Sequence, residues 1–310
     1  IMIKLMHVND YVIDTSQFRP LLNDKVVEEF ENEIASYVGA KYACALHSAT
    51  MGIFMTLLEQ DRTVVEIPSI IPPVVPNAII TSGHSVKYRD DIDWVGSSYV
   101  LHQFDDYKII DSAQQLDENQ FTNQANDEDL MIFSFYPTKP VGSVDGGMIV
   151  SNDEEKIRRL KILTRYGTNF EDNSWERKFV LPGWKMYMNS IQAWMALENF
   201  KKLEHKSKRF DEIREEYNSA FGLNNTSRHL YRMRVANRDI FMKQLNDLGI
   251  QCGIHYRSVH DVDCYAPVEH TDLSKSIIES NSTVSIPFHE MMSDEEVSSV
   301  IVGVKRCLSY

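Results

Sequence analysis

The chain has 310 residues, 43% of them hydrophobic and 25% charged, with a formal net charge of −13. That length suffices for one large core plus a smaller second unit, and the composition is that of an ordinary globular protein. The acidity argues against nucleic acid or an anionic membrane as the main partner, while leaving room for a small anion in a locally basic pocket.

Four cysteines, Cys44, Cys252, Cys264 and Cys307, form no CxxC pair. They signal neither a zinc ribbon nor a redox motif, and a reduced, cytoplasmic setting is expected. No apolar run is long enough to cross a bilayer, and the first residues lack a signal-type apolar region. Ile1 ahead of Met2 reads as a cloning remnant.

Apolar residues at Val26, Val27, Phe30, Ile34 and Tyr37 predict a helix over 26–37, with Gly39 suited to its C-cap. A short strand at 42–46 runs into His47-Ser48-Ala49-Thr50 and a helical run at 51–58. Strand, small-residue turn and helix N-terminus make a potential anion site, because free backbone N–H groups converge there; plain N-capping by Ser or Thr is the alternative. Strands are expected at 64–67, 86–89, 98–102 and 108–111, with a stiff Pro68-Ser69-Ile70-Ile71-Pro72-Pro73 loop opening a helix at 74–81. Asp111 closes the last of those strands, where it either caps a turn or faces a crevice. The alternation over 26–150 predicts a mainly parallel sheet with crossovers.

The stretch 129–150 holds two short apolar runs around a turn-rich loop with Pro137, Pro140, Gly142, Gly146 and Gly147. Its lysine, Lys139, lies just past a strand end, where α/β folds place their chemistry. A solvated loop lysine is one reading. A partly desolvated amine able to form Schiff bases with carbonyls is the other. Beyond it, helices are expected at 152–166 and 188–203, separated by an irregular segment at 167–183. The basic run at 201–209 reads as a solvated helix face. The polar Asn224-Asn-Thr-Ser marks a break, followed by a strand at 229–235, a helix at 238–248, a strand at 254–256 and a terminal helix at 294–307. His47, His84 and His102 read as packing or surface histidines. His255 and His260, separated by four residues, are weak evidence of a metal site and are not read as one.

Several segments, in order, resemble the DegT/DnrJ/EryC1/StrS sugar aminotransferases, fold-type I enzymes that use pyridoxal 5'-phosphate (PLP, with PMP as its amine form). They are Phe30 to Gly39, Ser48-Ala-Thr50, Ile110-Asp111-Ser-Ala-Gln114, Phe133-Ser134-Phe-Tyr136-Pro-Thr-Lys139 and Asp145-Gly-Gly-Met-Ile-Val. Further on come Gly183-Trp-Lys185 through Gln192, His255-Tyr256 to His260, and Ile286-Pro-Phe-His289. The resemblance runs from about Val26 to the C-terminus. It implies a large PLP-binding α/β domain over 1–203 and a small α+β domain over 204–310.

By resemblance, Lys139 is the Schiff-base lysine and proton shuttle, and Asp111 contacts the cofactor's pyridine nitrogen. Gln114 sits beside its phenolic oxygen, and Ser134, Ser48, Ala49 and Thr50 contact its phosphate. Lys185 matches a phosphate contact supplied across a homodimer with shared active sites. Tyr136, His255 and Tyr256 match substrate-side positions, and Pro72 falls where the family usually stacks an aromatic on the cofactor ring. Two further departures are Ala49 in a slot usually held by Gly, and a segment between His102 and Ile109 too short for the usual crossover helix.

The implied activity is transfer of an amino group, with glutamate as donor, to a keto group of a nucleotide-linked deoxysugar. That would serve deoxyamino-sugar and polysaccharide biosynthesis. The alternatives are a PLP/PMP-dependent sugar dehydratase, against which Lys139 argues because those members carry histidine there, and a non-catalytic cofactor- or sugar-binding relative.

Overall fold

The structure, a computed structural model, describes residues 2–18, 21, 24–169 and 175–308. Ile1 and residues 170–174 of the irregular 167–183 segment lie outside the described residues.

The first helix, α1 (Lys25–Val38), buries Val26, Val27, Phe30, Ile34 and Val38 on one face. It stops at Gly39, whose φ of 80° closes the last turn onto the carbonyls of Ala35 and Ser36. Then follow β1 (Tyr42–Leu46), α2 (Ala49–Leu58), β2 (Val64–Pro68), α3 (Val74–Thr81), β3 (Ser85–Arg89), β4 (Tyr99–Gln103) and β5 (Lys108–Asp111). Next are α4 (Gln120–Gln124), β6 (Leu130–Ser134), β7 (Gly147–Ser151), α5 (Glu154–Thr164), α6 (Ser190–Phe200) and α7 (Leu203–Phe221). The chain ends with β8 (Tyr231–Arg234), α8 (Arg238–Asp247), α9 (Ser274–Ser282), β9 (Thr283–Ile286) and α10 (Asp294–Leu308).

The fold is α/β, with a central five-stranded sheet in the order β1-β7-β6-β5-β4, and β2 and β3 paired parallel beside it. Both faces of the sheet are covered, so its strands are apolar nearly throughout, as burial on two sides requires. Cys44, Leu46, Leu130, Ile132 and Ile149 pack on one side with Ile53, Val75 and Ile157 from α2, α3 and α5. The alternate residues Ala43, Ala45, Met131, Phe133, Met148 and Val150 pack on the other with Phe30, Ile34 and Ala193 from α1 and α6.

The parallel pairing expected from the sequence holds for β5 with β6 and for β2 with β3. Strands β7 and β4 run against their neighbours. The reversal of β4 has a simple cause. Only residues 104–107 separate it from β5, and Phe104 N–H closes that loop on the Tyr107 carbonyl at 2.8 Å. A crossover needs a dozen or more residues, so the chain turns back as a hairpin.

A third apolar cluster gathers Phe210, Tyr217, Tyr231, Phe241, Val284, Phe288 and Val300 around the antiparallel β8–β9 pair. The N-terminal segment joins it: Ile3 N–H donates to Gly249 O, and Gln251 N–H to Ile3 O, at 2.8 and 2.9 Å. The strand expected at 254–256 is not one. Residues 254–256 carry no ladder; only Gly253 bridges to β9, and the sequence reading overlooked both α9 and β9. The basic run at 201–209 is solvated at Lys201, Lys202 and Lys208, as expected, but Lys206 is buried and ion-paired with Glu290 at 2.8 Å.

Candidate active site

Asp111 ends β5 and Ser134 ends β6, so the parallel register of these strands opens a crevice at their carboxyl ends. Asp111 is buried, 4% exposed, and two donors converge on it. Ala113 N–H reaches Oδ1 at 2.9 Å and the Tyr99 hydroxyl reaches Oδ2 at 2.8 Å. Burial pushes its carboxyl above the usual range, while those hydrogen bonds and the positive charge of Lys139 pull it back.

Lys139 follows β6 in a tight turn, its N–H on the Tyr136 carbonyl at 2.8 Å. Its side chain points inward, and Nζ lies 3.2 Å from Nε2 of His229. Desolvation lowers its pKa from 10.5 to about 8, against the pull of Asp111. A fraction of neutral amine is therefore present near neutrality, which is what a nucleophile for carbonyls requires.

Around the pair stand two histidines held neutral. Burial and the charge of Lys139 push His229 well below the ordinary imidazole range, and they push His255 down to about 4. His255 Nδ1 is 2.9 Å from Ser285 Oγ. His229 Nδ1 is buried without any partner, a polar atom waiting for one. Gln114 spans the crevice: its carbonyl accepts from Gly96 N–H at 2.8 Å and its amide donates to the Tyr256 hydroxyl at 3.2 Å.

An anion cradle adjoins this cluster. Ser48 caps α2, accepting Met51 N–H at 3.4 Å, and Ala49 and Thr50 form the first turn. Gly147 pairs with Ser134 across the sheet and lies so close to that turn that a Cβ on it would sit 2.4 Å from Ala49 N. The first turn of α2 and a strand position without side chain thus lie together next to Ser134, an arrangement suited to a phosphate. Ala49 in place of glycine brings no backbone strain, since it lies in the right-handed first turn of α2.

The sequence-derived set is thus partly gathered. Asp111, Gln114, Lys139, His255 and Tyr256 share one crevice, with Ser48, Ala49, Thr50 and Ser134 at its edge. Lys185 lies elsewhere, exposed, its Nζ 5.7 Å from the Tyr166 ring centre. Tyr136 is 54% exposed. Pro72 is half-buried at the entry to α3, its carbonyl accepting Val75 N–H. Tyr99 and His229 were missed. Neither sits in a local pattern, because Tyr99 reaches the site through a strand pairing and His229 through a contact 90 positions along the chain.

The profile of the DegT/DnrJ/EryC1/StrS aminotransferase family matches residues 7–90 and 109–305. The chain belongs to this family. Within the aminotransferase's sequence the one internal gap of the match, 91–108, contains β4 and its turn. Among relatives, a UDP-4-amino-4,6-dideoxy-N-acetyl-beta-L-altrosamine transaminase of Campylobacter jejuni subsp. jejuni serotype O:23/36 (strain 81-176) is 24% identical, covering 90% of this chain and 89% of its own. The spore coat polysaccharide biosynthesis protein SpsC of Bacillus subtilis (strain 168) is 26% identical over 90% of this chain and 88% of its own. Among solved structures, the aminotransferase TlmJ of Streptoalloteichus hindustanus superposes with a TM-score of 0.83 at 20% identity, over 99% of both chains. The PLP form of a putative sugar aminotransferase of Streptococcus pneumoniae gives 0.82 at 18% identity, over 100% of this chain and 99% of that one. These likenesses establish the fold.

Proposed function

We propose that this aminotransferase holds PLP in the Asp111–Lys139 crevice and moves an amino group from glutamate to a keto group of a nucleotide-linked deoxysugar. The observation that carries the reading is the half-buried lysine of lowered pKa, within electrostatic reach of a buried carboxylate and beside a helix-end anion cradle. The names of the Campylobacter relatives support a nucleotide sugar as acceptor.

Bound there, PLP supplies an aldehyde and an electron-withdrawing ring able to stabilise a carbanion. The chain's own residues do the rest. Asp111 carries the negative charge that suits a protonated ring nitrogen. Ser48, Ala49, Thr50 and Ser134 hold the phosphate. Gln114, fixed between Gly96 and Tyr256, offers its amide near the ring edge. Lys139 Nζ, once free, takes and returns the proton at the reacting carbon. Tyr136, His255 and Tyr256 would serve the substrates, and Pro72 would help to hold the cofactor. Lys185 serves a second copy of the chain, in a homodimer whose contact includes the exposed Trp175 and Phe179, each 79% exposed.

The test is reconstitution with PLP, followed by glutamate and a panel of nucleotide-linked keto-deoxysugars. The expected result is a visible absorption band and 2-oxoglutarate released in step with amino sugar. Lys139→Ala should remove both; an alanine variant that keeps turning over would refute the assignment.

A further inference from the structure

We propose that Tyr99 is the positioning residue for Asp111, its hydroxyl holding that carboxylate ionised and oriented in the crevice through a contact made by the β4–β5 hairpin. The inference rests on the proposed role of Asp111 and adds to it a residue outside the family match, which skips 91–108.

The geometry follows from the short connection. Had β4 run parallel to β5, its last residues would lie beside the carboxyl end of β5. Turned back on itself, β4 places its first residue there instead, and Tyr99 is the direct cross-strand partner of Asp111. Such partners share a face and approach within about 5 Å at Cβ. The phenol spans the rest and donates to Oδ2 at 2.8 Å. Tyr99 is itself fixed, 6% exposed, with its ring against Trp94 at 4.6 Å, and Trp94 Nε1–H donates to Ile70 O at 3.0 Å.

The bond is a charge-assisted one in a dry site, where a carboxylate deprived of a donor is costly. Tyr99 stays a donor throughout, since burial and the Asp111 charge hold its phenol well above its ordinary pKa. The other groups that feel this pair are Lys139 from the loop after β6, Tyr256 from the segment before α9, and Arg89 on β3, which lies 5.6 Å over the Tyr99 ring. On β6, the register partner of Asp111 is the apolar Ile132. Of the two donors on the carboxylate, one is backbone and cannot be removed by substitution. Tyr99 is the adjustable one.

The experiment is Tyr99→Phe, which keeps the ring and its Trp94 contact. The Asp111 carboxyl is titrated by 13C NMR in the cofactor-free protein, with Asp111→Asn to assign the resonance. The expected result is a midpoint raised by about one to two pH units, the equivalent of one charge-assisted hydrogen bond. In the PLP-loaded variant, the 15N resonance of the ring nitrogen should move toward the unprotonated form. Replacing Tyr99 by 3-fluorotyrosine, a stronger donor of nearly the same shape, should lower the midpoint, and it serves if the phenylalanine variant does not fold. A midpoint unmoved in both variants overturns the inference. Failure of the wild-type protein to bind PLP overturns the proposed function instead, and the cofactor-free titration decides the Tyr99 pairing regardless.

Discussion

Lys139 changes its chemistry because of where it is buried, and the consequence is visible in stability. Below about pH 8 the ammonium is present in the folded and the unfolded chain alike, and the full cost of burying it is carried. Between about 8 and 10.5 the folded chain has released that proton while the unfolded chain keeps it, so stability rises with pH through this window. Lys139→Met should therefore stabilise the cofactor-free protein at neutral pH, on the order of 1.4 kcal/mol for each unit of depression, with the gain fading above about pH 10. Urea melts at both pH values check this; an equal gain at both would mean the amine is not desolvated. His229 and His255 act at the other end. Their folded pKa values lie below the ordinary 6.5, so their contribution to stability is present above that value and declines as the pH falls past it. Their imidazole resonances in NMR spectra should show no titration between about pH 7.5 and 5.5. The role of Lys139 was legible from its place after a strand and from the resemblance. The loss of its proton was not, because it comes from desolvation by segments that only folding brings around the amine, His229 from 90 positions along the chain among them.

At the scale of elements, the anion cradle depends on β7 passing the start of α2 with no side chain between them. Gly147→Ala puts a methyl group 2.4–2.6 Å from the Ser48–Ala49 backbone, which only a displaced helix end can relieve. PLP affinity should fall by tenfold or more, read by fluorescence titration, while Gly222→Ala, which strains only the left-handed C-cap of α7, should leave it unchanged. Unaltered affinity in the Gly147 variant would move the phosphate elsewhere. Helix α3 was readable to the residue, and α1 to within a residue at each end, because the proline-rich loop before α3 and the apolar spacing and Gly39 cap of α1 are local. The orientation of β4 was not. A short connection warned of an altered crossover, but only the closed hairpin shows that the strand reverses and so brings Tyr99 to Asp111. The pair α9 and β9 escaped notice because Thr283 follows Ser282 directly, with no turn signal between helix and strand.

For the whole molecule, the crevice is closed by contacts between parts far apart in sequence. Val259 N–H donates to Ser69 O at 3.0 Å, His260 Nδ1 meets Ser69 Oγ at 2.7 Å, and Ser258 bridges Ile70. We propose the division near residue 203, with the unit 204–310 bringing His229, His255 and Tyr256 to the residues of 1–203. In the proposed dimer, Phe179→Asp should place a charge in a buried apolar contact. Sedimentation should then show monomer, with loss of retained PLP as Lys185 leaves the partner's site. A monomeric wild type that keeps full activity would refute the shared site.

What the sequence alone determined is the chemistry available: the short apolar runs that build a two-sided sheet, the Gly39 cap that ends the first helix, and an ordered set of motifs around Lys139 and Asp111. These are local properties, fixed by neighbours within a turn or a strand. The tertiary structure decided which polar groups those two residues meet, namely Tyr99, His229 and Tyr256. Such meetings depend on strand direction and on the seating of distant segments, which no local pattern encodes. The charge state of a buried group depends on its whole surroundings, and so it became readable only once the chain was folded.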